Sequence, residues 1–136
     1  MSGIYGRRFS EDLEDGKIYT RAELRRMLDT CDATINNGVF RPAGFASVLI
    51  FVTKNKTRDR TQYEDRLEGN TLYWQGQSSG RTDAVVAGHK AHGLELLVFY
   101  REDKFQHPHS GFTYIGRFVY KAHSGRRPTD FVLTRS

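Results

Sequence analysis

The sequence is short of several things, and each shortage removes a class of function. Its single cysteine, Cys31, leaves no internal disulfide, no zinc knuckle and no CxxC redox pair; core packing is the expected role of that thiol. No stretch approaches the ~20 apolar residues that a bilayer span requires. Residues Met1 to Ser10 carry basic side chains with no apolar segment behind them, which reads as a cytoplasmic protein without membrane contact. Internal repeats and low-complexity tracts are also missing. The histidines have no cysteine partners and no HExxH-type helical spacing. His107-Pro108-His109, with His89, His92 and His123 elsewhere, therefore reads as exposed loop rather than a metal site. No metal and no other cofactor is expected.

Acidic residues are the scarcer charge. Lysine and arginine outnumber aspartate and glutamate by 21 to 16 in 136 residues, which favours a polyanionic partner. A chain of this length supports one continuous core, so residues 1–136 are read as a single domain with a single site.

Hydrophobic spacing gives the elements. Thr20 and Glu23 form a capping box, and Leu24, Met27, Leu28 and Cys31 follow at i, i+3, i+4, i+7, which predicts an amphipathic helix from about Thr20 to Cys31. Ser47 to Val52 is a continuous apolar run of strand length, expected to be buried on both faces at the centre of a sheet. Thr71 to Gln75, Leu94 to Tyr100, Phe112 to Lys121 and Asp130 to Thr134 also read as strands. Alternation puts Phe112, Tyr114, Phe118 and Tyr120 on one face of the third of these, with Gly116 among them. Asp83 caps a short second helix, Ala84 to His89, in this reading. The class is α+β: a β-rich barrel or strongly curved sheet with one or two flanking helices. Loops remain at Asn36 to Phe45, Lys54 to Asn70, Gln77 to Thr82 and Glu102 to Gly111, long enough to carry function.

The second of these loops is the most informative. Lys54, Lys56, Arg58 and Arg60 alternate directly after the apolar strand, a pattern suited to phosphate contacts. Alone it is as readily a solvated charged turn. Tyr63, Glu64 and Asp65 follow, then Gly69-Asn70, Trp74, and the polar stretch Gln75-Gly76-Gln77-Ser78-Ser79-Gly80-Arg81. Aromatic, carboxylate, turn, aromatic and flexible polar loop together make a cup for a planar ring. Proteins that must reach every edge of a base extrude it, stack it on aromatic faces and hydrogen-bond its edge. A carboxylate is the natural acceptor for the exocyclic amine of cytosine.

The order Gly38-Val39, Phe45-Ala46-Ser47-Val48-Leu49, Tyr63-Glu64-Asp65, Gly69-Asn70, Trp74, Gly76 and Gly80-Arg81 resembles the SET-and-RING-associated (SRA, or YDG) domain. The likeness is densest over Gly38 to Asp83. It implies a PUA-like barrel that binds 5-methylcytosine in double-stranded DNA by base flipping. Tyr63 then lies at the family's first sandwiching tyrosine, Trp74 replaces the second, and Asp65, or failing it Glu64, meets the base edge. Phe112-Thr113-Tyr114-Ile115-Gly116-Arg117 also resembles a related module fused to bacterial helicases and nucleases.

The expectation is a nucleoid-associated reader of modified cytosine without chemistry of its own. Its base site comprises Tyr63, Glu64, Asp65, Trp74, Gln75 and Ser78, and Lys54, Lys56, Arg58, Arg60, Arg81 and Arg117 hold phosphates. A homo-oligomer and a separate nuclease are compatible partners. Stacking contributes ~1–3 kcal/mol per base, enough from two faces to offset an unstacking cost of a few kcal/mol. A buried methyl adds about 0.8 kcal/mol, roughly a fourfold preference.

Competing readings stand beside these. Trp74 is equally a core tryptophan, and Tyr114 and Tyr120 lie on an aromatic face more suited to core than to ligand. Glu102-x-Lys104, with Asp83, resembles the acidic and lysine core of metal-dependent nucleases but falls in a charged turn. The alternatives are thus a modification-dependent nuclease, or a PUA-like reader of another modified base or of RNA. Arg126 and Arg127, with Arg81 and Arg117, become a phosphate surface only if they share a face with the Lys54 to Arg60 loop.

Overall fold

The computed structural model describes residues 7–30, 38–54, 65–76, 82–125 and 129–136. In chain order these form β1 (Ile18–Tyr19), α1 (Arg21–Leu28), β2 (Val39–Phe40), β3 (Ser47–Thr53), β4 (Arg66–Glu68), β5 (Thr71–Gln75), α2 (Asp83–Ala87), β6 (Glu95–Arg101), β7 (Phe112–Ser124) and β8 (Asp130–Arg135). Short 3-10 turns lie at Phe9–Asp12 and Pro108–Ser110. The strands make one mixed sheet in the order β2-β3-β6-β7-β8-β5-β4, with β1 against the start of β7. Only the β3–β6 pair among them is parallel, because the chain returns to that side through the β4–β5 hairpin and α2.

The α+β class stands. The closed barrel does not: β2 and β4 end the strand order and do not pair with each other among the described residues. β3 is buried along Ser47 to Val52, as an unbroken apolar run requires when both faces are covered. It is nevertheless second from an edge, with β7 at the middle of the order. Helices and loops cover both faces here, so burial did not mark the sheet centre.

Two apolar clusters occupy the two faces. Val48, Ile50, Val52, Leu96, Val98 and Phe118 join Leu72, Trp74, Phe131, Leu133 and the α2 residue Val86 on one. Leu49, Phe51, Leu97 and Phe99 join Phe9, Leu24, Leu28, Phe112 and Tyr114 on the other. The single face expected for Phe112, Tyr114, Phe118 and Tyr120 is therefore divided. Val98 pairs with Gly116 but Phe99 pairs with Tyr114, so the register slips between them. Gly116 has φ 106°, a backbone region open chiefly to glycine. One extra residue inverts the alternation, sending Phe112 and Tyr114 to one cluster and Phe118 and Tyr120 to the other.

The Thr20 capping box is complete: Glu23 N–H donates to Thr20 Oγ1 at 3.1 Å and Thr20 N–H to Glu23 Oε1 at 2.9 Å. The helix stops at Leu28 because Asp29 turns left-handed at φ 53°, three residues before the expected end. Leu24 and Leu28 are buried but Met27 is 39% exposed, so the apolar stripe is narrower than the spacing suggests. Cys31 lies outside the described residues. α2 is capped at Thr82, and Asp83 is its first residue rather than its cap.

His89, placed in that helix by the sequence reading, lies beyond it and is 2% exposed. Its Nε2 accepts from Tyr120 N–H at 3.0 Å and its Nδ1 lies 2.9 Å from Leu94 O. A backbone N–H only donates, so the ring is neutral with its proton on Nδ1.

Candidate nucleic-acid interface

Lys54 stands where β3 and β6 end together. Parallel pairing runs from Ser47 opposite Glu95 to Thr53 opposite Arg101, and Lys54 N–H extends it to Arg101 O at 3.0 Å. The basic loop thus leaves the sheet beside the end of β6. Lys54 Nζ sits 3.8 Å from Glu102 Oε1, and Tyr100 O–H donates to Glu102 Oε2 at 3.0 Å. Glu102 lies in the turn after β6, where its carboxylate is engaged by these two groups.

Asp65 stands immediately before β4. It is 2% exposed, and its Oδ1 accepts from Gln75 N–H at 2.9 Å, joining the two open ends of the β4–β5 hairpin. Burial, followed by the hydrogen bond to Glu102 and the charges of Glu102 and Asp65, pushes the Tyr100 phenol well above its ordinary range. Gln75 Nε2 donates to Asp130 Oδ1 at 2.9 Å. Lys54, Tyr100 and Glu102 form one polar group at the end of β6, and Asp65 with Gln75 a second at the open end of the β4–β5 hairpin; the sequence reading left out Tyr100. Its signal was the tyrosine ending an otherwise apolar strand.

Trp74 is 5% exposed and stacks on Phe131 at 5.4 Å with the planes 24° apart. The core-tryptophan reading describes this placement: one ring face is taken by Phe131, and the side chain belongs to an apolar cluster. Tyr114 is likewise buried core, and Tyr120 packs partly buried against the Trp74 cluster.

Arg117 is exposed on β7 opposite Leu97. That is four positions along β6 from Arg101, ~13 Å at the strand rise, so Arg117 is not brought to Lys54. Tyr63, Glu64, Ser78, Lys56, Arg58, Arg60, Arg81, Arg126 and Arg127 lie outside the described residues. Among the described residues no group of three or more His, Cys, Asp or Glu side chains is placed to hold a metal ion.

A further polar feature centres on Asp83, read from the sequence as a helix cap and set beside Glu102-x-Lys104 in the nuclease comparison. Asp83 accepts from Thr129 O–H through Oδ2, while its buried Oδ1 has no hydrogen-bond partner. It opens on a concavity of about 330 Å³ whose walls include Phe131, His123, Thr129 and Gly125. Gly76 adjoins it: a Cβ there would stand 3.0 Å from the Phe131 ring and 3.2 Å from Asp83 Oδ1.

No family model matches the chain, and no curated protein matches it. Among solved structures, a modification-dependent restriction endonuclease, TagI, is similar at TM-score 0.52 and 17% identity, over 90% of this chain and 50% of that one. The DNA modification-dependent restriction endonuclease AspBHI is similar at TM-score 0.41 and 14% identity, over 75% of this chain and 36% of that one. The likeness to TagI shows a shared fold. This chain spans half the length of the TagI chain it matches.

Proposed function

We propose that this chain is a nucleoid-associated binding module for double-stranded DNA carrying a modified cytosine, 5-methylcytosine foremost, which takes the extruded base at Asp65 and breaks no bond itself. The observation that carries the reading is Asp65: a buried carboxylate fixed by the Gln75 amide at the open end of the β4–β5 hairpin. A fixed acceptor there suits the exocyclic amine of cytosine. Tyr63 supplies one stacking wall. Trp74, backed by Phe131, supplies at most its opposite ring face, so a base reaches it only if the packing over that face opens. Glu64, Gln75 and Ser78 complete the cup. Lys54, Lys56, Arg58, Arg60 and Arg81 hold phosphates, and Arg117 serves a separate strand contact. The fold likeness to a protein named as modification-dependent supports the choice of modified DNA over RNA. In this reading, cleavage that follows recognition is the work of a separate nuclease.

Asp65→Asn tests the reading. The substitution keeps the oxygen facing Gln75 N–H and replaces the other oxygen with a donor, which repels an amino group. Fluorescence anisotropy is expected to give about 5- to 150-fold weaker binding to a 5-methylcytosine duplex, the equivalent of ~1–3 kcal/mol per base-edge pairing. A duplex with thymine at that position should bind as before. Equal loss on both duplexes, or none on either, refutes base-edge recognition by Asp65. Cutting of methylated plasmid in magnesium or manganese that disappears in Glu102→Ala overturns the assignment of no catalysis.

A further inference from the structure

The same end of the sheet carries charge on its other face. Tyr100 and Arg101 are consecutive on β6, so their side chains leave opposite faces: Tyr100 packs against the Trp74 cluster, whereas Arg101 lies over the Phe112 ring at 4.0 Å. Arg21, at the start of α1, places its guanidinium 4.6 Å from the Phe51 ring centre and 4.9 Å from that of Phe112. Two guanidinium groups are thus held against one ring. Burial and then the charge of Arg101 lower Arg21 to about 10, so both remain charged at neutral pH and repel each other.

Their positions are built rather than incidental. Arg101 Nε donates to Thr53 Oγ1 and its Nη1 to Ser110 O, each at 2.8 Å. Asp103 also attracts Arg101. His109 and Ser110 are both left-handed, at φ 58° and 60°, a costly backbone for two successive non-glycine residues. That turn closes a concavity of about 470 Å³ with Thr20, Arg21, Glu23 and Arg26. Glu23 is the acid in its wall, and its carboxylate accepts from Thr20 N–H in the capping box. The same box takes the Glu23 N–H, so the cations rather than the helix end define the site.

We propose that Arg21, Arg101 and Arg26 form a clamp for a backbone phosphodiester of duplex DNA, on the face of the sheet opposite Tyr100. Its oxygens meet two planar guanidinium groups held over one ring, donors suited to phosphate. DNA is favoured over a free anion because Thr53, which holds Arg101, is followed directly by Lys54, and Lys56, Arg58 and Arg60 come next in the sequence. The inference rests on the DNA-binding reading but not on the modified base.

The test is the salt dependence of binding, measured by anisotropy for methylated and unmethylated duplexes of one sequence. Wild type is compared with the Arg21→Gln/Arg101→Gln double variant and with Arg26→Gln. Losing one phosphate contact makes the slope of log K against log salt shallower by about 0.9. Between about 50 and 200 mM salt the affinity deficit of the double variant should therefore shrink about 3.5-fold, equally for both duplexes. Arg26 is exposed and touches neither ring, so if the double variant does not fold, a shallower slope in Arg26→Gln carries the same meaning. Unchanged slopes in the folded variants overturn the clamp, even if wild type prefers methylated DNA. Changed slopes without any preference for methylation leave the clamp standing and remove the modified-base reading. If inorganic phosphate raises the Tm of wild type but not of the variants, while DNA slopes stay the same, the site takes free phosphate and the DNA assignment is overturned.

Discussion

His89 makes the stability of this fold depend on pH in a definite direction. Its neutral ring accepts from Tyr120 N–H and donates to Leu94 O, tying the turn after α2 to β7. Protonation would set two N–H groups against each other at Nε2 in a buried position. Burial accordingly lowers its pKa, with a smaller opposing effect from the bond to Leu94 and a small further lowering from Lys90. The unfolded chain, with a histidine pKa near 6.5, binds a proton that the folded chain refuses. Stability is therefore flat above that value, falls as pH drops through it, and levels only below the depressed folded value. Each pH unit of that depression corresponds to about 1.4 kcal/mol of stability lost on acidification, or roughly 3–6 °C in Tm for a domain of this size. Urea unfolding from about pH 8 to 5, for wild type and His89→Gln, isolates the effect because the two proteins differ only at that ring. The variant keeps an acceptor for Tyr120 and loses the titration, so its curve should be flatter by that amount. Parallel curves, or a wild type that gains stability below about pH 6.5, refute the argument.

Other substitutions have equally specific expectations. Trp74→Ala removes a buried ring stacked on Phe131 and is expected to cost ~3–5 kcal/mol in urea unfolding. A gel-shift loss in that variant would then report unfolding, which makes Asp65→Asn the cleaner binding probe. Thr20→Ala removes the hydroxyl that accepts from Glu23 N–H and keeps the backbone N–H that donates to Glu23 Oε1; it should cost about 1 kcal/mol, with faster amide exchange in the first turn of α1 as the local signature.

Much of the sheet was legible because its residues obey short-range rules. Thr71 to Gln75 matched β5 residue for residue, and the capping box placed the start of α1. The two-residue strands β1 and β2 and the three-residue β4 were missed because they are too short to show a period; pairing partners, not their own sequence, make them strands. The bulge at Gly116 was missed for a related reason, since alternation reads the same until a partner reveals the slip. Openness of the sheet depends on whether β2 meets β4, which no local pattern states.

The candidate site was legible as a segment but not as a shape. Asp65 meets Gln75 across the hairpin, whereas Lys54 is met by Glu102, which Tyr100 holds from the end of β6. Trp74 alternates inward with Leu72 against Phe131 and Leu133, so strand period outweighed its place beside a polar loop. The arginine clamp was invisible because Arg21, Arg26 and Arg101 are far apart in the chain and each alone is a plain surface charge.

The central claim is that a modified cytosine leaves the duplex to be held here. The most direct measurement uses a duplex with one 5-methylcytosine beside a 2-aminopurine, whose fluorescence rises when its stacked neighbour is extruded. Saturating wild type should raise the fluorescence at the methylated site and bind it about fourfold tighter than the unmethylated duplex, the preference a buried methyl supports. Saturated binding with no rise in fluorescence, and equal affinity for the two duplexes, would contradict base capture.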